Sequence, residues 1–578
     1  MRYRHITGQE TTDSQSTSFM LARKAGGYVF LGQPNTSHYQ GLTVLLPWQK
    51  SWDLFKTVHS LALDTKPHTI ALHPDALELL HHGAHEHWAV HDQAVTYSVR
   101  NYRGSVHVAL DMRRIHDFTQ WGRTYSIQEV PGGQVVTYRC PEYSFCLALI
   151  GARARFQECW REVQYFQDAT RGGQPSGYVN DCLTFECSGE LNLRFGTGYT
   201  PAAALAAASS LAPQHHDIAL PDGDAALTAA AAQLDGLIAR PPGLDAAIFA
   251  GYPWFYQVWS RDEAISCGGL IALGARDLAK RILLRAIHTI REDGRIPNRF
   301  PASDLGSADG VGWAFAGLAQ LTDSFTYEEA CFVFTQLNAS LRGLSRGYIQ
   351  GLLHSGAQET WMDTTGGTRD TRAGARIEIQ ALLARMLRLG ESLSARLRDG
   401  DSERFARQAE ELRAAVRAQL FDGQRLADGT VDGCVDWTVR PNIFLAHEAA
   451  PELLTDREWQ ATFSHALRSL WLAWGGLATI DTHDPLSVPE HTGQNDRSYH
   501  RGDSWYFVNN VAASALAARG FGAQAAQLLA ASERQLLCLG TPGHAAEVSS
   551  AGKQEALGCV SQAWSAATYV QARLRPSS

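Results

Sequence analysis

The sequence predicts a protein in two parts: an N-terminal β-sandwich followed by a closed ring of helical hairpins, an (α/α)6 barrel. Three observations support this fold class. The chain has 578 residues, too many for one ordinary hydrophobic core. Short β-rich runs fill its first part, and a helical period of apolar residues begins at Ala225. We expect the β-sandwich at residues 1–205, a linker at 206–224 and the barrel at 225–578.

The predicted strands are short runs rich in β-branched and aromatic residues, separated by Gly, Asn or Asp. No helix signal between them is long enough for βαβ units, and close spacing of many short strands favours a sandwich. The clearest runs are Tyr28–Leu31, Gly41–Leu46, Ala94–Val99, Val106–Leu110 and Gln134–Tyr138. The Ala-, Pro- and Ser-rich stretch that follows, Pro201–Asp224, predicts a linker with about one helical turn.

Twelve helices are predicted after the linker, and long connections alternate with short turns between them. The long connections precede the even-numbered helices, no sequence repeat accompanies the alternation, and a closed ring is therefore favoured over a solenoid. In such a ring the long loops lie at one end, where a rigid scaffold holds binding and catalytic groups. The helices are predicted at 225–240, 262–275, 276–292, 308–321, 326–344, 374–389, 402–420, 442–450, 456–473, 504–519, 521–537 and 559–573.

Composition excludes several classes of function. The formal charge of −8 and the lack of a basic cluster leave no surface for nucleic acid. No run approaches the ~20 apolar residues of a membrane span, and the N-terminus lacks a signal-peptide h-region, so we expect a cytoplasmic protein without a membrane partner. The ten scattered cysteines indicate reduced, buried thiols. The oligomeric state is left open.

Two composition features favour a carbohydrate ligand over a metal. Fifteen Trp and 18 Tyr suit sugars, which present flat C–H faces and polar edges, although core packing explains many aromatic residues equally well. The His-rich run from His81 to His91 lies in the β-rich part without cysteine partners, and a solvated loop is the favoured interpretation. Phosphate-binding glycine motifs, a nucleophile elbow and zinc spacings are absent.

Two loop carboxylates are candidates for acid–base chemistry. Asp363 follows Trp361 and precedes a Gly-Gly pair, and Glu547 lies among small residues just before the last predicted helix. Hydrolysis of a glycosidic bond needs one acid to protonate the leaving oxygen and a second carboxylate on the opposite face. An exposed loop acid or a helix cap is the alternative for each residue.

An adjacent Arg and Asp open the second predicted helix. Asp262 alone suits a first-turn acid that favours the helix dipole, but Arg261 is poorly placed for that dipole. Facing a pocket, the pair offers donor and acceptor to two neighbouring sugar hydroxyls. The segment Asp503-Ser-Trp505 repeats the arrangement at another helix start.

These residues also carry a family resemblance that spans nearly all of residues 250–570. The C-terminal part resembles the amylo-α-1,6-glucosidase domain of glycogen-debranching enzymes, an (α/α)6 barrel akin to glucoamylase. The matching segments, in the family's order, are Val258-Trp-Ser-Arg-Asp-Glu-Ala-Ile-Ser, Gly294-Arg-Ile-Pro-Asn-Arg-Phe-Pro301, Glu359-Thr-Trp-Met-Asp-Thr364, Arg372-Ala-Gly-Ala-Arg-Ile-Glu-Ile-Gln380, Arg440-Pro-Asn442, Tyr499-His-Arg-Gly-Asp-Ser-Trp505 and Gln562-Ala-Trp-Ser565.

The resemblance implies an inverting hydrolase without a cofactor or catalytic metal. Asp363 is the implied general acid and Glu547 the implied base, with Glu555 as a rival in the same loop. Burial beside Trp361 is expected to keep Asp363 protonated. The implied substrate-binding residues are Trp259, Arg261, Asp262, Asn298, Arg299, Trp361, Glu378, Arg440, His500, Asp503 and Trp505.

The N-terminal part resembles the β domain of bacterial and archaeal debranching enzymes, with departures. Gly26-Gly-Tyr28 and Asn35-Thr-Ser-His-Tyr-Gln-Gly-Leu42 match that domain, but Ser37 and His38 replace two arginines and Gln40 replaces a histidine. The expected substrate is a glycogen or limit-dextrin branch point. A small α-glucoside, such as a compatible solute, trehalose or maltose, is the alternative, and a non-catalytic glucan-binding protein is the second.

Overall fold

The structure is a computed structural model that describes residues 2–5, 7–8, 10–11, 18–32, 37–300, 306–493 and 495–575. Asn35, Thr36 and Pro301 of the quoted motifs lie outside the described residues. The chain forms two compact units. The first comprises the chain up to Ala247 with Tyr252–Tyr256 and Leu536–His544, and the second comprises Ile248–Gly251, Gln257–Gln535 and the chain from Ala545 onward.

In the described part of the first unit, sixteen strands form one sheet. Their bounds are β1 Arg2–Arg4, β2 Glu10–Thr11, β3 Phe19–Ala22, β4 Tyr28–Leu31, β5 Gly41–Trp48, β6 Ser51–Ala62, β7 Thr69–Leu72, β8 Ala76–Leu80, β9 His85–Val90, β10 Val95–Arg114, β11 Thr124–Val130, β12 Gly133–Arg139, β13 Ser144–Ile150, β14 Arg155–Phe156, β15 Trp160–Gln164 and β16 Ser176–Gly198.

Two long strands change partners along their length and thereby curl the sheet. The first half of β10 pairs with β9 and its second half with β6, while β16 pairs with β15 and β14 at its start and with β13 at its end. Residues from both halves, such as Phe55, Trp88 and Phe145, share one hydrophobic core. The predicted sandwich is therefore a single sheet folded over its own core.

The predicted strands Ala94–Val99 and Val106–Leu110 belong to the one strand β10. Its pairing register with β16 shifts between Arg100 and Tyr102, where Asn101 has φ 58°, so a bulge carries the strand through the polar stretch between the two runs. A strand that continues through a bulge shows two apolar runs with a gap, and the sequence pattern alone cannot distinguish it from two strands.

The described residues of the first unit form three helices that lie wholly within it: α1 Phe166–Thr170, α2 Pro201–Ser209 and α3 Ala225–Leu237. The predicted linker thus begins with a helix of nine residues, capped by the Thr200 side chain. The alanines of α2 pack on β12, β13 and β16. Gly196 permits this close approach, because a Cβ atom there would lie 2.1 Å from the backbone nitrogen of Ala208.

The second unit contains a closed ring of six helices. Each of α4, α6, α8, α10, α12 and α14 contacts the next, and α14 contacts α4. The other helices, such as α5 and α9, pack against members of this ring. The bounds are α4 Ser260–Ala272, α5 Arg276–His288, α6 Gly310–Ala319, α7 Tyr327–Leu344, α8 Ile377–Leu397, α9 Ser402–Leu420, α10 Asn442–Ala449, α11 Asp456–Leu470, α12 Tyr506–Ala517, α13 Gly522–Cys538 and α14 Ala563–Leu574.

The ring helices are the even-numbered helices of the prediction. Each predicted helix overlaps an observed one, and the largest difference is α8, which continues past Gly390 to Leu397. Gly390 lies within this helix and against the ring of Phe405, where a Cβ atom would be 2.6 Å from that ring. The helix ends at Arg398, which adopts a left-handed conformation with φ 56°.

The His-rich run is not the solvated loop that the sequence favours. It forms the turn between β8 and β9 and the strand β9, and the buried His81 pairs through Nε2 with Glu86 at 2.5 Å. Within the described residues, no group of three or more His, Cys, Asp or Glu side chains suits a metal ion. All ten cysteines are free thiols. No helix in the described ranges has the length and apolar character to cross a bilayer.

Candidate active site

The starts of neighbouring ring helices are joined by side-chain hydrogen bonds and form the candidate site. Arg261 at the start of α4 binds Asp309, which precedes α6. Asp262 accepts from Gln562, which precedes α14, at 3.1 Å. Because these starts follow the long loops, the loop residues and the helix-start residues meet at one end of the ring.

Asp363 lies at this end with 36% of its side chain exposed. One carboxylate oxygen is 3.5 Å from Nη1 of Arg261, and the other is 3.4 Å from Nε2 of His500. Asp363 therefore combines access to solvent with two neighbours that stabilise its negative charge. A substrate oxygen can reach it without displacing buried protein.

The expectation that burial keeps Asp363 protonated is wrong for the substrate-free protein. Burial does favour the neutral acid, but the neighbouring His500 and the charge of Arg261 outweigh it, so the pKa of Asp363 is lowered. Trp361, which was expected to supply the apolar contact, is 2% exposed and packs behind His500 instead. Burial lowers the pKa of His500, because it favours the neutral imidazole, although Asp363 opposes this shift.

Glu547 has a different environment, since it is only 2% exposed and held from two sides. The Tyr499 hydroxyl donates to Oε1 at 2.5 Å, and the backbone N–H of Cys559 donates to Oε2 at 2.8 Å. The small residues around Glu547 suggested a carboxylate with few partners. The structure instead shows a hydrogen bond to each of its oxygens. Gly558 is required beside it, because a Cβ atom there would lie 2.3 Å from Oε2.

The rival Glu555 is placed less favourably for catalysis. Its side chain is 37% exposed and lies 3.3 Å from Lys553, which is itself 78% exposed. Its backbone carbonyl accepts from the Tyr506 hydroxyl, so the local chain is fixed while the carboxylate points toward Lys553. Of the two loop acids, Glu547 is the one near the helix-start residues.

Asp262 completes a group of three acids. It is 6% exposed, and burial, opposed by Arg261 but assisted by the charges of Glu547 and Asp363, raises its pKa to about 8. The effect of both neighbours shows that the three carboxyls share one electrostatic environment. At neutral pH, Asp262 is therefore the protonated member of the group and can donate a hydrogen bond.

Arg261 is fixed by Asp309, a residue that the sequence did not single out. Its Nε lies 2.8 and 2.7 Å from the two Asp309 oxygens, and Asp309 also accepts from Ser307. Nη2 of Arg261 has no hydrogen-bond partner in the described part of the chain. The side chain is thus rigid, and Nη2 is a buried donor that no described residue engages.

A cluster of aromatic side chains supports His500. The rings of His500 and Trp505 are stacked, with centroids 5.1 Å apart and 9° between planes, and Trp361 meets both edge-on. Trp361 donates to Asn442 and Trp505 to the carbonyl of Tyr499. Both tryptophans are nearly fully buried, so they position His500 and Tyr499 from behind.

Trp259 and Arg299 face each other on a short antiparallel ladder that pairs Val258–Trp259 with Arg299–Phe300. The Arg299 guanidinium lies 5.5 Å from the centre of the Trp259 ring, and the backbone carbonyl of Asn298 accepts the backbone N–H of Ser260. The ladder holds the loop before α4 against the loop after α5. Trp259 and Arg299 are half-buried, and Asn298 is buried.

Three further expected binding residues serve internal contacts. Glu378 is buried and paired with Arg372 at 2.8 Å. Arg440 donates to Asp370 at 2.6 Å and to the carbonyl of His500 at 3.0 Å. Asp503 accepts from Ser498 at 3.0 Å and lies 2.6 Å from His491. These residues hold the loops, and Asp503 does not repeat the Arg261–Asp262 arrangement.

Sequence reasoning missed the partners of the reacting groups. Asp309 was not in any quoted segment, whereas Tyr499 and Gln562 were quoted without a role. No spacing rule links Tyr499 to Glu547, since their contact depends on the ladder that pairs Ser504–Trp505 with Val548–Ser549. Only the folded chain shows that the two loops meet.

Solved structures confirm the fold class. The chain is similar to a bacterial glucoamylase complexed with acarbose, with a TM-score of 0.66 and 11% identity, over 98% of this chain and 95% of that chain. A mannosylglycerate hydrolase of glycoside hydrolase family 63 from Thermus thermophilus, in complex with glucose, matches with a TM-score of 0.45 and 18% identity over 56% of this chain and 95% of that chain. The first of these matches shows that the protein has the fold of glucoamylase-like (α/α)6 glycosidases.

The family follows from the sequence itself. The family model described as amylo-alpha-1,6-glucosidase matches residues 235–571, which is more than half of the chain. The protein belongs to this family, as the quoted segments implied. A comparison with curated protein sequences found no match.

Proposed function

We propose that this protein is an inverting α-glucosidase that releases glucose from α-1,6 branch points of glycogen or limit dextrin. One observation carries the proposal: the half-exposed Asp363 and the buried, doubly held Glu547 share an electrostatic environment with Asp262. Two carboxyls in one site are what an acid and a base for glycoside hydrolysis require.

In the proposed reaction, Asp363 protonates the bridging oxygen while Glu547 removes a proton from the attacking water. Each oxygen of Glu547 accepts from a protein donor and retains acceptor capacity for that water. For inversion, the two carboxyls are expected to lie about 6.5–9.5 Å apart. Arg261 and the protonated Asp262 bind hydroxyls of the glucose to be released.

Asp363 must gain a proton before it can act, because its pKa is lowered in the free protein. A bound sugar excludes water from the carboxyl and engages the donors of Arg261, and both changes favour the neutral acid. Asp262, whose pKa is about 8, is protonated at neutral pH and influences Asp363 as a neutral group. The proposal therefore assigns the active protonation state to the enzyme–substrate complex.

A small α-glucoside is the second candidate substrate, and the N-terminal unit favours it. Ser37 Oγ and the His38 ring both bind Asp168, at 2.7 Å each, and Ser37, His38 and Gln40 are all buried. These positions, at which the resembled family has basic residues, offer no exposed cation to a glucan. A reduced polymer contact here is compatible with a shorter substrate.

The test is glucose release from a panel of limit dextrin, isomaltose-type oligosaccharides, maltose, trehalose and small α-glucosides of alcohols or acids. Preference for limit dextrin or isomaltose-type substrates supports the branch-point role. Release from a small glucoside alone supports the proposed hydrolysis but makes the small α-glucoside, and not the branch point, the substrate. If no substrate is hydrolysed but limit dextrin or acarbose still binds, the protein is a glucan-binding member of its family.

A further inference from the structure

A cavity of about 470 Å³ lies among the later turns of the ring helices. It is lined by α4 from Ala264 to Ala272, by α6 from Trp313 onward, by Arg385 on α8, by α10 from Leu445 onward, by Phe507, Val511 and Ser514 on α12, and by α14 from Thr568 onward. Ligand pockets commonly occupy about 300–1,000 Å³, so the space suits a small molecule. The reacting carboxyls lie at the opposite, starting ends of these helices.

An aromatic layer separates the cavity from the candidate active site. Phe507 lines the cavity and packs edge-on against Trp361, with ring centroids 5.2 Å apart. Its ring also stacks on Trp564 at 4.2 Å. Since Trp361 supports His500, this layer lies between the cavity and Asp363, and the cavity is a separate binding space.

The cavity carries an unbalanced positive charge. Its charged lining residues in the described chain are Arg385, Glu448 and Arg575. Glu448 and Arg575 form a two-pronged ion pair at 2.7 and 2.8 Å and neutralise each other. Arg385 has no ion pair or side-chain hydrogen bond among the described residues, although its neighbour Arg388 on α8 pairs with Glu391 and Glu410.

The rest of the lining defines the kind of ligand. Trp313, Leu445, Phe507 and Val511 supply apolar surface, and Gln571 supplies an amide beside Gly268. The ends of the ring helices add partial negative charge, but this effect is weak at a surface and fades within one turn. A full guanidinium charge in contact with an oxyanion outweighs it.

We propose that this cavity binds a small organic anion, with its carboxylate or phosphate group on Arg385 and its apolar part against Phe507 and Val511. The site is independent of glucose binding at the other end of the ring. It gives Arg385 the partner that the described residues do not provide. The ligand's anionic group is either a carboxylate or a phosphate ester, and both bind a guanidinium in the same way.

The test is calorimetric titration of the full chain with benzoate and phenyl phosphate, with benzyl alcohol as the neutral probe of similar size. None of these probes is a sugar, so the glucose pocket does not contribute. We expect one anion per chain to bind, and benzyl alcohol to bind roughly tenfold more weakly or not at all. Tighter binding of benzoate identifies a carboxylate site, and tighter binding of phenyl phosphate identifies a phosphate site.

Two variants and a matched control locate the site. Arg385→Gln is expected to weaken anion binding roughly tenfold or more, whereas Arg388→Gln, the same substitution three residues along α8, leaves it unchanged. Ala316→Phe fills part of the cavity from α6 while Arg385 stays in place, and should also abolish binding, which keeps the test valid if Arg385→Gln fails to fold. Equal binding by the Arg385 and Arg388 variants, or no preference of the native chain for anions over benzyl alcohol, overturns the proposal.

Discussion

The two ends of the helix ring use charged residues in opposite ways. At the starting end, Arg261, Arg372 and Arg440 are each paired with carboxylates, and the acids of the site have protein donors. At the other end, Arg385 faces a cavity without a partner among the described residues. Pairing fixes geometry, which catalysis on a sugar requires. A charge without a partner provides affinity for a ligand that brings the opposite charge.

Replacing the two loop acids separately tests whether the starting end is catalytic. Glu547→Gln should lower kcat about a thousandfold or more, because it removes the base; its amide nitrogen also cannot accept one of the two hydrogen bonds that Tyr499 and Cys559 donate. Glu555→Gln is the matched control and should remain near the native rate. Steady-state glucose release from the preferred substrate measures both. If the Glu555 variant is the inactive one, the assignment of the base is wrong.

Replacing the acid gives a loss that depends on the leaving group. Asp363→Asn should reduce kcat about a hundredfold to ten-thousandfold on a natural glucoside, whose leaving oxygen needs a proton. On 4-nitrophenyl α-glucoside the loss should be much smaller, because the phenolate leaves without protonation. Equal losses on the two substrates would assign Asp363 to binding instead.

A small change beside Glu547 tests how strictly this end is fixed. Gly558 has φ +66° and lies against Glu547, so Gly558→Ala adds backbone strain and pushes on the carboxylate. We expect kcat to fall roughly tenfold to a hundredfold, in line with a displacement of about 1 Å. Gly423→Ala, also at positive φ but with open space around it, controls for the strain and should leave kcat unchanged.

The shifted pKa of Asp262 has a consequence for stability. The unfolded chain releases this proton near pH 4, while the folded protein keeps it until about pH 8. The native protein therefore loses stability relative to Asp262→Asn as pH rises between these values, by a few kcal/mol in total. Urea unfolding of both proteins at pH 5 and pH 8 measures the difference. A difference that does not change with pH would mean that Asp262 is ionised in the folded state.

The sequence predicted more of the scaffold than of the site. Each of the twelve predicted helices overlaps an observed one, because apolar periodicity reports which face of a helix is buried. The sequence did not predict that β10 is one strand, that α2 packs on the sheet, or that Gly390 is accommodated within α8. These features depend on neighbours far along the chain.

The candidate acids could be named from the sequence, but their protonation could not. Asp363 was expected to be neutral, and His500 and Arg261 reverse that expectation. Asp262 was expected to accept a hydrogen bond from a sugar hydroxyl, and its burial near two other acids makes it the protonated member. Charge states follow from three-dimensional proximity, and adjacent residues in the sequence do not define that proximity.

The most direct test of the two-carboxylate mechanism is the anomeric form of the glucose first released. Proton NMR, recorded within minutes of adding enzyme to an isomaltose-type substrate, resolves the two anomers before they equilibrate. Because water attacks from the face opposite the leaving group, the account predicts β-glucose first. Initial release of α-glucose would contradict the roles assigned to Asp363 and Glu547.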